Sequence, residues 1–411
     1  MKIISALVFM FGWCTYSYSD SIVYYDLQKA LKNPLLVERL VLLNMYTEVP
    51  EEVRKFVNLK ELYLGQIIDH RNDDFQIENN RFNDVINSQF KCRYLKNELS
   101  NLPEWLPELK HLKILFITNN HFIKYPKVLN RMDELEILDM SFNSLTELNC
   151  SIPNLKEFYV SLNQDEYSDS IFILPSEITV LCITASRLIS SQILKSHLKL
   201  KEIILNGVII KQKFILNDLN STIESVSIIG STLDKFQVNN SYRLSKLKYL
   251  KISGFLEKYD WICTTAINLE CLDLSINSID SIKSDFKFKY LHSVKFDHGK
   301  IKYVDSTFFQ NNPNLNTVSF YDNNIKSIYV NNIDNLEYLS LTDNDISEIF
   351  ISKFNKLKYL SYRGNEISFS NVPIEDLFII PHLELLLCIN KFKKYKYKGP
   401  NYISVNYSDC D

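Results

Sequence analysis

Glycine is scarce, with eight in 411 residues. No glycine-rich phosphate loop is spelled anywhere, nor a His-Glu-x-x-His zinc helix, nor a Gly-x-Ser-x-Gly elbow. The seven histidines (70, 111, 121, 197, 292, 298 and 382) lack ligand-like clustering, and the pair His292 and His298 reads as a solvated strand edge. Hydrolysis, phosphoryl transfer and metal catalysis therefore have no evident carrier. The expectation is a non-enzyme with no metal and no cofactor. Net charge is −3, so no global basic field favours nucleic acid. Beyond the N-terminus no uninterrupted apolar run reaches ~18 residues, so no membrane span is expected.

Cysteines are few and do not form a framework. There are eight; Cys14 is expected to leave with a leader, and the odd remainder argues against a disulfide scaffold. Cys92 reads as a small core residue. Cys182 and Cys271 fall on the solvent side of strands four units apart, too distant to bridge at ~4.8 Å per strand. Cys388 and Cys410 are the one candidate pair, tying down the last unit.

What is present begins with a positive start (Lys2), an apolar run over residues 3–13, and Ser17 and Ser19 before Asp20. Small residues at those places fit cleavage after Ser19 and a secreted, extracellular chain. Four sequons at Asn149, Asn220, Asn239 and Asn406 suit that route as glycosylation acceptors.

The dominant signal is a repeat of about 22 residues with apolar residues at positions 1, 4, 6 and 11, and often Asn at 9. Clear copies are Leu135, Leu138, Met140, Asn143, Leu145 and Leu269, Leu272, Leu274, Asn277, Ile279. Units start at Val37, Leu59, Gln89, Leu112, Leu135, Leu155, Ile178, Leu200, Ile223, Leu247, Leu269, Leu291, Leu315, Leu336, Leu357 and Leu383. Apolar residues at 4 and 6 read as a short strand with one buried face, leaving 3, 5, 7 and 8 on the other. A lone unit cannot bury its apolar face, so the units must stack. The division expected is a leader 1–19, a cap segment 20–36, a solenoid 37–391 of about 16 units, and a Lys/Tyr-rich tail 392–411. Irregularity is expected at 65–89, where Asp69–Asp74 reads as a polar insertion, and at 178–260.

This pattern resembles the leucine-rich repeat proteins, extracellular type. The resemblance implies an α/β solenoid: a horseshoe with a parallel concave β-sheet, one short strand per repeat, and an irregular, 3-10 or short-helix convex side. It also implies a ladder of Asn amides bonding the neighbouring turn, here Asn97, Asn120, Asn143, Asn163, Asn277, Asn323, Asn344 and Asn365. Ser186, Val208, Ser231 and Phe255 stand where Asn is expected in four middle units. The ladder should break across all four, weakening exchange protection over 178–260. Glycines 65, 207, 230, 254, 299 and 364 fall at positions 7 to 9, where they relieve the turn after the strand.

Sixteen strands at ~4.8 Å give a curved sheet about 75 Å long, an extended binding surface. The residues expected to face solvent there are apolar in the first half: Phe116, Ile137, Phe142, Tyr159, Leu162, Val180 and Ile204. Later they turn aromatic and charged: Tyr249, Lys251, Asp273, Lys295, Tyr321, Tyr338, Tyr359 and Arg363. Exposed apolar clusters, and Tyr and Arg, mark contact sites. The expected function is recognition of another protein through this face, of immune or adhesion type. Abundant Ile, Asn, Lys and Tyr fit equally a parasite effector that binds a host protein. Lys391, Lys393, Lys394, Lys396 and Lys398 could hold an anionic glycan or surface, or protect the open sheet edge.

Overall fold

The computed structural model describes residues 22–66, 96–163, 172–188, 199–215, 221–237, 244–331, 334–351, 356–361, 363–365 and 384–386. The expected leader 1–19, the expected tail 392–411 and residues 67–95 lie outside the described residues. Among those described, sixteen strands form one parallel sheet, each bonded to its neighbours in chain order, from Val23–Tyr24 to Glu384–Leu386. The apolar pattern sets the register. Position-4 residues pair in line, as in Leu115↔Leu138, Leu250↔Leu272 and Leu339↔Leu360, and all six are at most 2% exposed. Their side chains fill a core that runs the length of the solenoid.

Helix is sparse, as the repeat implies. Among the described residues it consists of short helices of four to six residues, such as Phe308–Asn311 and Asp260–Thr265, and of 3-10 segments such as Glu51–Lys55 and Lys127–Arg131. Phe308 and Phe309 are fully buried from that turn, and Phe308 joins Phe286, Phe288, Phe296 and Phe320 in an aromatic spine, with ring centroids 5.0 to 5.7 Å apart. No described helix is long and apolar enough to cross a membrane.

The sixteen strands are not the sixteen units of the repeat count. The cap segment supplies the first strand, paired with Arg39–Val41. The strand Glu61–Tyr63 bonds directly to Ile114–Phe116, so no strand from the unit at Gln89 stands between them. The unit opened by Leu59 instead runs on to Leu112, and Asn97 is its ladder residue. The Asn97 amide oxygen accepts from the Asn44 and Tyr46 N–H groups, both at 3.1 Å, and its nitrogen donates to the Leu42 and Leu64 carbonyls. The sequence hid this because Gln89 lies 23 residues, one period, before Leu112.

The ladder has a simple rule. Each Asn oxygen accepts from an N–H near position 11 of the preceding unit, and its nitrogen donates to the position-6 carbonyl. Asn323 accepts from Ile301 (3.0 Å) and donates to Phe296 (2.7 Å); Asn120, Asn143, Asn277, Asn344 and Asn365 do the same in their units. Asn163 does not. The strand register jumps from Met140↔Val160 to Leu145↔Leu162, five residues against two, so the unit at Leu155 lacks three residues of turn. Asn163 is exposed, and its backbone N–H meets the Leu145 carbonyl at 2.7 Å.

The ladder also survives better in the middle than the missing amides suggest. Ser186 Oγ accepts from Leu162 N–H at 2.8 Å and donates to the Thr184 carbonyl at 2.8 Å. Ser231 Oγ accepts from Val208 N–H at 3.1 Å. A hydroxyl both donates and accepts, so serine keeps the essential bond of the amide. Of the four middle units, only those with Val208 and Phe255 leave the position without a polar group.

Candidate functional site

The concave face divides into two halves of different character. In the first half, Phe116, Ile137, Tyr159 and Ile204 do lie on the side opposite the main core, together with Val41, Leu43, Tyr63, Ile114 and Cys182. They are not exposed: none of the nine exceeds 9%. They form a second apolar layer, with the Tyr63 and Phe116 rings 5.1 Å apart. Large side chains on strands ~4.8 Å apart touch their neighbours on both sides, and the sheet here is buried on two faces. Val180 packs partly buried against the layer. Several polar groups inside it are paired. Arg39 Nε donates to Glu61 Oε2 at 2.8 Å, Tyr63 donates to the same oxygen at 2.7 Å, and fully buried Asp139 accepts from the Ser141 N–H and hydroxyl.

Leu162 is not on this face at all. The three-residue deletion swings it into the main core, where it is 1% exposed. Phe142 lies at the rim, 41% exposed, at the one turn position whose backbone is left-handed.

The second half stays accessible. Tyr249, Lys251, Lys295, Tyr321, Tyr338 and Tyr359 are half-buried and Arg363 is exposed, while Asp273 is buried beside Lys251 at 3.3 Å. Tyr338 and Tyr359 stack with centroids 4.4 Å apart and planes 2° from parallel. Burial, then the neighbouring Tyr359, pushes the Tyr338 hydroxyl up to about 12. Between Tyr249 and Tyr338 the position-3 column holds only Cys271, Ser293 and Thr317, and Ser319, Ser340 and Ser361 line up at position 5.

A charged rim borders this floor. Asp297 accepts from Ser319 Oγ (2.5 Å) and from Tyr321 N–H (2.9 Å), yet burial holds its carboxyl above the usual carboxylate range. His298 Nδ1 lies 2.8 Å from Asp322 Oδ2, and its ring stands edge-on to Tyr321. The serine columns and the residues Asp297, Asp322 and Asp343 were not among those singled out from sequence, and His298 was read there only as part of a solvated strand edge. Reading positions 5, 7 and 8 down successive units would have found them.

No group of three or more His, Cys, Asp or Glu able to hold a metal occurs among the described residues. Cys150, Cys182, Cys263 and Cys271 are free thiols. Cys388, Cys410, the lysines from Lys391 to Lys398, and the sequons at Asn220, Asn239 and Asn406 lie outside the described residues. Asn149 is exposed.

No protein-family model and no curated relative matches the sequence. Solved structures do match. A leucine-rich repeat protein of Leptospira interrogans superposes with a TM-score of 0.54 at 18% identity, over 89% of this chain and 100% of its own. A chain of the Drosophila Toll–Spätzle complex superposes with a TM-score of 0.56 at 14% identity, over 89% of this chain but 53% of its own, so the present chain spans about half of that protein. With one strand per turn, a single parallel concave sheet and an amide ladder closing many of the described turns, the chain has the fold of the leucine-rich repeat proteins.

Proposed function

We propose that this is a secreted recognition protein that binds another protein through the second half of its concave face, from Tyr249 to Arg363. The observation that carries the reading is the composition of that surface: half-exposed tyrosines over columns of serine and threonine, with arginine at the edge. Tyrosine supplies large, rigid contact area at little entropic cost, and the small, buried serines beside the rings leave them room. The apolar first half is absorbed into packing and leaves little to grip. The likeness to a chain held in a complex with Spätzle supports a binding role for such a sheet. The leader-like N-terminus and the sequons support the secretory route.

The test is affinity capture from extracellular fluid with the mature protein as bait, repeated with a Tyr338→Ala/Tyr359→Ala variant. The expected result is one or more proteins retained by the first bait and lost from the second. Equal retention by both would overturn the assignment of the surface.

A further inference from the structure

We infer that Asn149 carries an N-linked glycan, and that this glycan covers an apolar residue on the flank of the solenoid and leaves the concave face open. The inference rests on the secretory reading above. Residues 148–149 form a strand outside the sixteen-stranded sheet, paired with Phe172–Ile173. Within the Asn149-Cys150-Ser151 sequon the chain alternates: Asn149 and Ser151 are exposed, while Cys150 is 1% exposed in the core. Both groups that define an acceptor therefore point outward together.

The sequon is also held open. Asn130 bridges it, its Nδ2 donating to the Asn149 carbonyl at 3.0 Å and its Oδ1 accepting from Ser151 N–H at 2.9 Å. Tyr125 donates to the same Asn130 oxygen at 2.8 Å, and Cys150 N–H donates to the Ile173 carbonyl at 3.0 Å. Among the described residues no hydrogen bond engages the Asn149 side-chain amide, so a substituent there breaks no contact. Directly across the strand pair stands Ile173, 45% exposed. A bulky hydrophilic glycan on the cross-strand neighbour of this isoleucine occupies the space over its side chain and shields it.

The modification transfers an oligosaccharide from a lipid-linked pyrophosphate donor in the secretory compartment. A bond forms between Asn149 Nδ2 and the anomeric carbon of the first sugar, the bond from that carbon to the pyrophosphate oxygen breaks, the amide loses one proton, and the lipid pyrophosphate leaves.

The full chain with its leader is expressed in a eukaryotic secretory host, and the peptide spanning 149 is mapped by mass spectrometry before and after enzymatic glycan removal. The expected result is a glycan on that peptide, converted by the amidase to Asp at 149. The Asn149→Gln and Ser151→Ala variants should each lose one glycan and elute partly as aggregate, and adding Ile173→Ser should restore the monomer. A secreted chain with glycan at other sequons but bare at Asn149 overturns the proposal alone. A chain retained in the cell with no glycan at any sequon overturns the secretory reading and the proposal with it. Aggregation that Ile173→Ser does not relieve overturns the shielding role.

Discussion

At the scale of single residues, the turn after each strand sets the strongest local demand. Position 8 is left-handed in eleven units, with φ from 45° at Ala185 to 104° at Gly254. Four of the eleven are glycine, and the others include Phe142 and Ile276, at φ 55° and 60°. A branched or bulky side chain there is strained by about 1–3 kcal/mol, partly offset in comparison with glycine by glycine's larger entropy loss. Ile276 is 58% exposed and so has little packing to lose. Ile276→Gly is therefore expected to raise stability by about 1 kcal/mol, read as a later denaturant midpoint at unchanged slope. Asp297 gives a second expectation. Its folded carboxyl titrates above the unfolded value, so the folded state holds the proton more tightly and stability falls as pH rises through that raised value. Asn at 297 keeps the acceptor for Ser319 and Tyr321. Asp297→Asn should thus melt later than the parent at neutral pH, and the gap should close as pH drops to the ordinary carboxylate range.

At the scale of the repeat unit, two bonds decide whether a residue at position 9 fits: one accepted from position 11 and one donated to position 6 of the unit before. Val208 sits at that place, fully buried, between units that keep the accepted bond through Ser186 and Ser231. One unit on, Ser231 accepts from the position-9 N–H of Val208 and donates to the position-6 carbonyl of Leu205, so Asn at 208 is expected to take the equivalent Ser186 N–H and Ile183 carbonyl. Val208→Asn should therefore melt within a few degrees of the parent. Val226→Asn, at a position-4 site whose side chain faces only apolar core, should lose about 3–5 kcal/mol, since an unpaired amide is buried there. A similar loss in both variants would show that the ladder rule does not extend through the middle units. By the same reasoning, exchange protection is expected to dip at Val208 and Phe255 and not across the whole of 178–260. The periodicity of Leu, Ile and Phe made the strands and their inward faces legible without coordinates. The three-residue deletion after Val160 and the long insertion after Gln66 were not, because both lie in turns, where the apolar pattern carries no register. Leu162 and Asn163 were misplaced by that deletion alone.

At the scale of the whole molecule, the same period that named the concave residues could not say which of them meet solvent. Alternation fixes the side of the sheet to which Phe116 or Ile204 points; it is the neighbours at ~4.8 Å that decide whether that side is open. Where seven consecutive strands, from Arg39–Val41 to Glu202–Asn206, carry apolar residues, the face closes into a layer, and where Ser293, Thr317, Ser319 and Ser340 intervene, the tyrosines are only half-buried. Folding and binding should accordingly separate along the solenoid. Phe116→Ala removes a ring that is 2% exposed and should cost about 3–5 kcal/mol of stability, while the protein that remains folded binds its captured partner as before. Tyr338→Ala/Tyr359→Ala should leave the melting curve nearly in place and weaken binding by at least about tenfold, the loss of one or two contact anchors at ~1.4 kcal/mol or more. Paired thermal melts and equilibrium titrations of both variants against the same captured partner measure the two effects side by side. A loss of affinity confined to the Phe116 variant would move the working surface back to the first half of the arch.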